Sequence, residues 1–160
     1  MTLKGLNQHF QTQMRLQMPI EEVFEFFSNV ENLQRITPKS LHFRFLTPLP
    51  IEMRVGAKID YVVSLFGIPM VWRTHITRWE PPTCFADDQD KGPYAQWTHT
   101  HRFRSEGEDT VIEDEIIYRL PLGYLGLIAL PIVRYQVETI FRHREAAIKE
   151  ALLSRSDSPD

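Results

Sequence analysis

The sequence predicts an α+β domain in which an antiparallel sheet of about seven strands packs against one long C-terminal helix. Three observations carry this. A single strand pattern near the N-terminus is followed at once by two short helical segments. Residues 41–120 read almost wholly as strands punctuated by turn residues, and from residue 121 to about 153 the chain reads as one amphipathic helix. Such a helix needs a partner for its apolar face, and the sheet is the natural one.

The first strand is residues 10–16, where Phe10, Thr12, Met14 and Leu16 share one face and Gln11, Gln13 and Arg15 the other. Pro19 opens a helix, with Glu21 and Glu22 near the positive end of its dipole and Ile20, Val23, Phe24 and Phe27 at helical spacing. Ser28 and Glu31 have capping-box spacing, which predicts a second short helix through Arg35. Thr37-Pro38 ends it, because a residue before proline avoids the helical region.

Leu41, Phe43 and Phe45 alternate with polar residues, as do Ile59, Tyr61, Val63 and Leu65, so both stretches are predicted strands. Gly67-Ile68-Pro69 is expected to connect to a strand over residues 70–79. Pro81-Pro82 breaks that strand, residues 83–89 form the next, and Asp90-Lys91-Gly92-Pro93 is a turn. Residues 94–104 and 110–120 are the last two strands, joined by a polar loop around Gly107. The final helix carries an expected stripe of Leu127, Ile128, Ile132, Tyr135, Ile140, Phe141 and Ile148. Pro131 either kinks it or marks its true start.

Length and composition describe one domain, residues 1–153, with 154–160 read as a disordered tail. The 160 residues include 42% hydrophobic and 24% charged side chains, a globular composition. A net charge of −3, with scattered Lys and Arg, argues against a nucleic-acid partner. The single cysteine cannot form an internal disulfide, and the polar N-terminal stretch lacks a signal-peptide core, so the expected location is the cytoplasm. Residues 121–133 are apolar but shorter than the roughly 20 residues a membrane span needs. Within them, residues 123–128 are read as a buried first helical turn. The competing readings are a mobile gate and transient membrane contact through residues 122–133. Nothing in the sequence sets an oligomeric state.

Pairing the last two strands brings the polar residues of interest together. If residues 106–109 form a four-residue loop, Phe103 faces Ile112, His101 faces Asp114, His99 faces Ile116 and Trp97 faces Tyr118. Each inward residue then meets an inward residue, so the register is self-consistent. A buried Asp114 needs a partner, and His101 stands opposite it. The pair is read first as a structural hydrogen bond, second as a ligand anchor and last as a carboxylate-oriented general base. His99 and His101, with Asp114 or Asp87, have zinc-ligand character. No cysteine cluster supports this, and the expectation is no metal and no cofactor. Asp87 and Gln89 share a face with Phe85, and their competing role is to tie down the turn at Gly92-Pro93. Which face of residues 70–79 points inward is ambiguous from pattern alone.

Several stretches carry a family resemblance: PIEEVFEFFSNVENLQRITP (19–38), the G-x-x-I-D-Y run from Gly56 to Tyr61, and W-x-T-x-I-x-x-W-E-P-P (72–82). It continues through F-x-D-x-Q-x-x-G-P-Y (85–94), W-x-H-x-H-x-F (97–103) and D-x-x-x-Y-x-L-P-L-G (114–123). Over about residues 10–150 the chain resembles the START-like or SRPBCC superfamily, also called polyketide cyclase/dehydrase-like, and within it the small bacterial ligand-binding proteins. The resemblance implies a helix-grip fold, a curved sheet wrapped around the long helix, with a cavity between them. It also favours Trp72, Thr74 and Ile76 facing inward. The expected ligand-binding residues are therefore Trp72, Thr74, Trp97, His99, His101, Phe103, Asp114 and Tyr118. The expected ligand is a small hydrophobic or amphipathic molecule bound by a carrier, sensor or accessory protein. The alternatives are a cyclase or dehydratase using His101–Asp114 as its base, and a non-catalytic partner of a dehydrogenase- or epimerase-like protein. A shared fold does not choose among these.

Overall fold

Alternation of apolar and polar residues makes β1 (Gln8–Leu16) a strand with Met14 and Leu16 buried. The structure, a computed structural model, describes residues 3–156. Pro19 stands just before α1 (Ile20–Ser28), where its fixed φ of −59° suits the helix entrance. Val23, Phe24 and Phe26 are buried there, while Phe27 is half-buried. α2 (Glu31–Ile36) follows, but the expected capping box does not form. Ser28 is still helical and bonds back to the Glu25 carbonyl, so the Asn29 side chain accepts the Glu31 N–H at 3.0 Å instead.

The strand expected over residues 41–45 shrinks to β2 (Arg44–Phe45). A 3-10 turn at Lys39–Leu41 precedes it, and His42, at φ 46°, turns the chain out of the extended region. β3 (Lys58–Leu65) and β4 (Ile68–Glu80) form a hairpin whose turn is Phe66-Gly67 alone, both at positive φ. Ile68 and Pro69 therefore belong to the strand and not to the connection. β5 (Cys84–Lys91), β6 (Gln96–Glu106) and β7 (Asp109–Arg119) complete a sheet of order β1-β7-β6-β5-β4-β3-β2, antiparallel throughout. Irregularities in the β4–β5 pairing, at Arg73/Thr74 and Ile76/Arg78, bend the sheet. The β6–β7 turn is two residues, Gly107-Glu108, shorter than expected. Glu106 pairs with Asp109, and the register of the two strands is unchanged.

A 3-10 segment (Gly123–Ala129) leads into α3 (Leu130–Ser156). Gly126 is required there, because a Cβ would lie 2.2 Å from the Pro121 carbonyl oxygen. Pro131 sits in the first turn of α3 and so marks its true start. The later part of the expected stripe holds, with Phe141 and Ile148 buried and Ile140 half-buried on the cavity wall, but its first part does not. Ile128, Ile132 and Tyr135 are exposed, and the inward stripe is Val137, Phe141, Ile148 and Leu152. The expected burial of residues 123–128 also fails, with Tyr124, Leu125 and Ile128 at the surface. α3 runs three residues past the expected end, into the tail read as disordered; residues 157–160 lie outside the described residues. Among the described residues no helix is long and apolar enough to cross a membrane.

Candidate functional site

The concave face of the sheet and α3 enclose a cavity of about 170 Å³. Trp72, Thr74 and Ile76 of β4 point inward, and Tyr61 of β3, Asp87 of β5, and Trp97, His99 and His101 of β6 join them on the wall. α2 supplies Asn32, Leu33 and Ile36, while α3 supplies Val137, Ile140, Phe141 and Arg144. Rings dominate: Trp72 stacks on Tyr61 at 6.1 Å and meets Trp97 edge-on at 5.3 Å. The polar exceptions are few and specific. Tyr61 Oη and Thr74 Oγ1 are hydrogen-bonded at 3.3 Å, and the indole Nε1–H of Trp72 is buried without a hydrogen-bond partner.

At the end of the cavity nearest the aromatic core, His99 and His101 are 5% and 4% exposed, with ring centroids 3.7 Å apart. His99 Nε2 donates to Asp114 Oδ1 at 2.7 Å. His101 Nδ1 lies 2.9 Å from the same oxygen but off the hydrogen-bonding direction, so this is an electrostatic contact and Nδ1 has no hydrogen-bond partner. His101 Nε2 is 3.5 Å from Asp87 Oδ2, and the ring stacks on Phe85 at 4.1 Å.

These surroundings drive the two imidazoles in opposite directions. Burial lowers the His99 pKa, the neighbouring His101 charge lowers it further, and Asp114 offsets only part. Burial also works against a charged His101, but the Asp114 and Asp87 carboxylates outweigh it and raise its pKa. Asp114 experiences burial that would raise its pKa, yet His101 and His99 hold it far below the ordinary carboxylate range. The arrangement thus favours an ionised Asp114, a charged His101 and a neutral His99. With Nε2–H of His99 given to Asp114, its Nδ1 keeps a lone pair. Asp87, His99 and His101 also bring ligand-type atoms within 4.8 Å of one another, close enough to share a metal ion. Each imidazole already has a carboxylate neighbour, so the cluster is equally complete as a network of charges.

A family model described as polyketide cyclase/dehydrase and lipid transport matches residues 16–142. The chain belongs to that family. This places it in the START-like, SRPBCC superfamily with the expected helix-grip fold. Solved structures agree on the fold. The Zhui aromatase/cyclase from Streptomyces sp. R1128 is 14% identical, with a TM-score of 0.78 over 95% of this chain and 97% of that one. A protein from Thermus thermophilus, TTHA0849, is 16% identical, with a TM-score of 0.69 over 90% and 99%. Ginseng major latex-like protein 151 from Panax ginseng is 17% identical, with a TM-score of 0.60 over 89% and 97%. No curated protein matches the sequence.

Within this polyketide cyclase/dehydrase-type cavity, five of the expected residues lie on the wall: Trp72, Thr74, Trp97, His99 and His101. Three do not. Phe103 is buried among Phe24, Phe27 and Phe85, and Tyr118 is buried beside Ile116, Val137 and Phe141. Asp114 reaches the wall only through the histidines. The His101–Asp114 register is as expected, but the hydrogen bond runs diagonally to His99, because the strands' twist brings His99 Nε2 in line with the carboxylate. Gln89 is taken up by its turn, bonding both the N–H and the carbonyl of Tyr94. Sequence reading missed Arg144 as a wall residue. Its signal was present, however: Ile140, Phe141, Ala147 and Ile148, its neighbours at helical spacing, are all apolar.

Proposed function

We propose that this chain binds a small apolar or amphipathic molecule between the sheet and α3, as a carrier, sensor or accessory protein. The observation that carries this reading is the cavity itself, lined mostly by aromatic and aliphatic side chains with a few polar groups. The family description, which includes lipid transport, and the aromatase/cyclase neighbour support the same ligand class. Trp72 and Trp97 line the cavity, whereas Trp79 packs into the aromatic core. The neutral fluorophore N-phenylnaphthylamine should therefore bind and quench tryptophan emission. Trp79→Phe should leave most of that quenching, and a Trp72→Phe, Trp97→Phe double variant should remove most of it. Failure of the folded protein to bind the probe, together with native mass spectra free of any co-purified apolar molecule, would overturn the proposal.

One observation favours an enzymatic second reading. A neutral His99 beside a charged His101 is a base and an acid in one wall, as proton transfer on a bound carbonyl compound requires. Given a turned-over ligand, His101→Ala should retain binding and lose conversion. A variant that still converts it at the wild-type rate rules this reading out.

A further inference from the structure

Among the described residues Arg144 is the cation that α3 supplies to the cavity wall, and it is not explained by packing alone. It is half-buried on the helix's apolar stripe, and no Asp or Glu among the described residues lies within ion-pair distance of it. The next residue, Glu145, is already engaged by Lys149 at 2.9 Å. The guanidinium sits 5.0 Å from the Phe141 ring centroid, a cation–π contact that holds it in place but leaves its five N–H donors without a carboxylate. By contrast, Arg73 is forked onto Asp60 by two hydrogen bonds of 2.7 and 2.8 Å.

One neighbouring group is also an unpaired donor. Trp72, stacked on Tyr61, is a donor only, and its Nε1–H has no hydrogen-bond partner although the residue is 7% exposed. Burial pushes the Tyr61 phenol up and its hydrogen bond to Thr74 counters this, while the Asp87 charge raises it and the Arg144 charge, the smallest influence, lowers it. The guanidinium and the unpaired indole N–H are donors on the cavity wall that an acceptor-rich group would satisfy, whereas the Tyr61 phenol already has Thr74 as its partner. Asp87, the carboxylate on the cavity wall among the described residues, lies 3.5 Å from His101 and makes no ion pair with Arg144.

We infer that the ligand is an amphipathic anion whose acidic group, a carboxylate or similar oxyanion, pairs with Arg144. Its apolar body then lies against Trp72, Trp97 and Phe141. This rests on the ligand-binding reading above and specifies the charge of the ligand. A charge-assisted pair with a guanidinium is among the stronger polar contacts a protein offers, and the net charge of −3 means that the protein's overall field does not itself attract an anion.

Two fluorophores of one skeleton test it: anilinonaphthalene sulfonate, which is anionic, and N-phenylnaphthylamine, which is neutral. The wild-type protein should bind the sulfonate more tightly than the neutral probe. Arg144→Gln should weaken the sulfonate about ten- to hundredfold and the neutral probe less than about threefold. Arg144→Lys should retain part of the preference, and Arg142→Gln, on the exposed face of α3, should change neither. Near-ultraviolet circular dichroism checks that each variant is folded, and if Arg144→Gln is not, the Lys variant carries the comparison. If both probes bind and their affinity ratio does not depend on Arg144, the inference is wrong while the cavity reading stands. If neither binds, the cavity reading itself fails.

Discussion

The two ends of the space under α3 are built from the same sheet and the same helix, yet one is filled and the other is hollow. At the filled end, Phe24 of α1 inserts among Trp79, Phe85 and Phe103, with ring centroids 5.3–5.8 Å away. Ile112, Ile148 and Leu152 close the gaps around them. At the hollow end Tyr61, Trp72, Tyr94 and Trp97 pack against one another along the wall. Phe43, ahead of β2, stacks on Tyr61 at 4.8 Å, and the space between this wall and α3 is left open as the cavity. The difference lies in what covers the sheet. α1 seals β6 and β7, whereas α2 and the chain before β3 roof only the rim of the cavity. His101 stands at the border, stacked on Phe85 of the core and facing Asp87 of the cavity. Stability is thus concentrated at one end and binding at the other.

The largest expected effect is at the filled end. Phe24→Ala should cost about 3–5 kcal/mol, read by denaturant unfolding with Trp79 as the reporter, because the surrounding rings cannot collapse into its place. A cost below about 1 kcal/mol would mean that the two ends do not differ in packing.

Next comes the border. Asp114→Ala leaves a charged His101 and a buried His99 without their shared carboxylate and should cost about 3 kcal/mol. The same cluster sets a pH dependence. Asp114, held low, contributes stability that is fully present above the ordinary carboxylate pKa and is lost progressively as pH falls from there toward its much lower folded value. His99, also lowered, makes stability fall as pH drops below about 6.5, because the unfolded chain takes a proton that the folded one refuses. His101, raised, contributes stability that is present below about 6.5 and is lost as pH rises through its folded value. The cluster's contribution should therefore peak near pH 6.5. His99→Gln should flatten the acid side of that peak and His101→Gln the alkaline side. Unfolding midpoints measured across pH 4–9 check this, and unchanged profiles in both variants would refute it.

A matched pair of enlargements probes the contrast directly. Ile112→Phe overpacks the filled end and should cost about 1–3 kcal/mol. Ile140→Phe enters the cavity and should cost less than about 1 kcal/mol while excluding N-phenylnaphthylamine. Smallest of all, Ile128→Ser at the exposed 3-10 segment should change stability by no more than about 0.5 kcal/mol, since Ile128 is 79% exposed.

Much of the sheet was legible because period-2 alternation and side-chain pairing are local constraints. The β6–β7 register came from requiring inward residues to face inward, and a loop two residues shorter than expected did not disturb it. The beginning of α3 was harder. Leu125, Ile128 and Ile132 are as apolar as any core residue, so pattern alone put them inside. The 3-10 segment turns Leu125 and Ile128 outward and Ile132, in the first turn of α3, is exposed with them, whereas Phe141 and Ile148 further along the helix are buried as the pattern indicates. The candidate site was half legible for a similar reason. Trp72, Thr74, Trp97, His99 and His101 could be assigned to a face, but a face does not say which residues border open space. Phe103 and Tyr118 share the β6 and β7 inward faces and are packed solid.

The sequence by itself determined the order of elements, the register of the last two strands and the meeting of two histidines with Asp114, because each follows from neighbours along or across a strand. Tertiary structure alone decided three other features. They are which end of the sheet α1 fills, which histidine takes the Asp114 hydrogen bond, and that Arg144 lies on the cavity wall without a carboxylate. Those depend on sheet curvature and on the phase and placement of α3 relative to distant strands. Such quantities are set by the packing of the whole domain, and no local pattern encodes them.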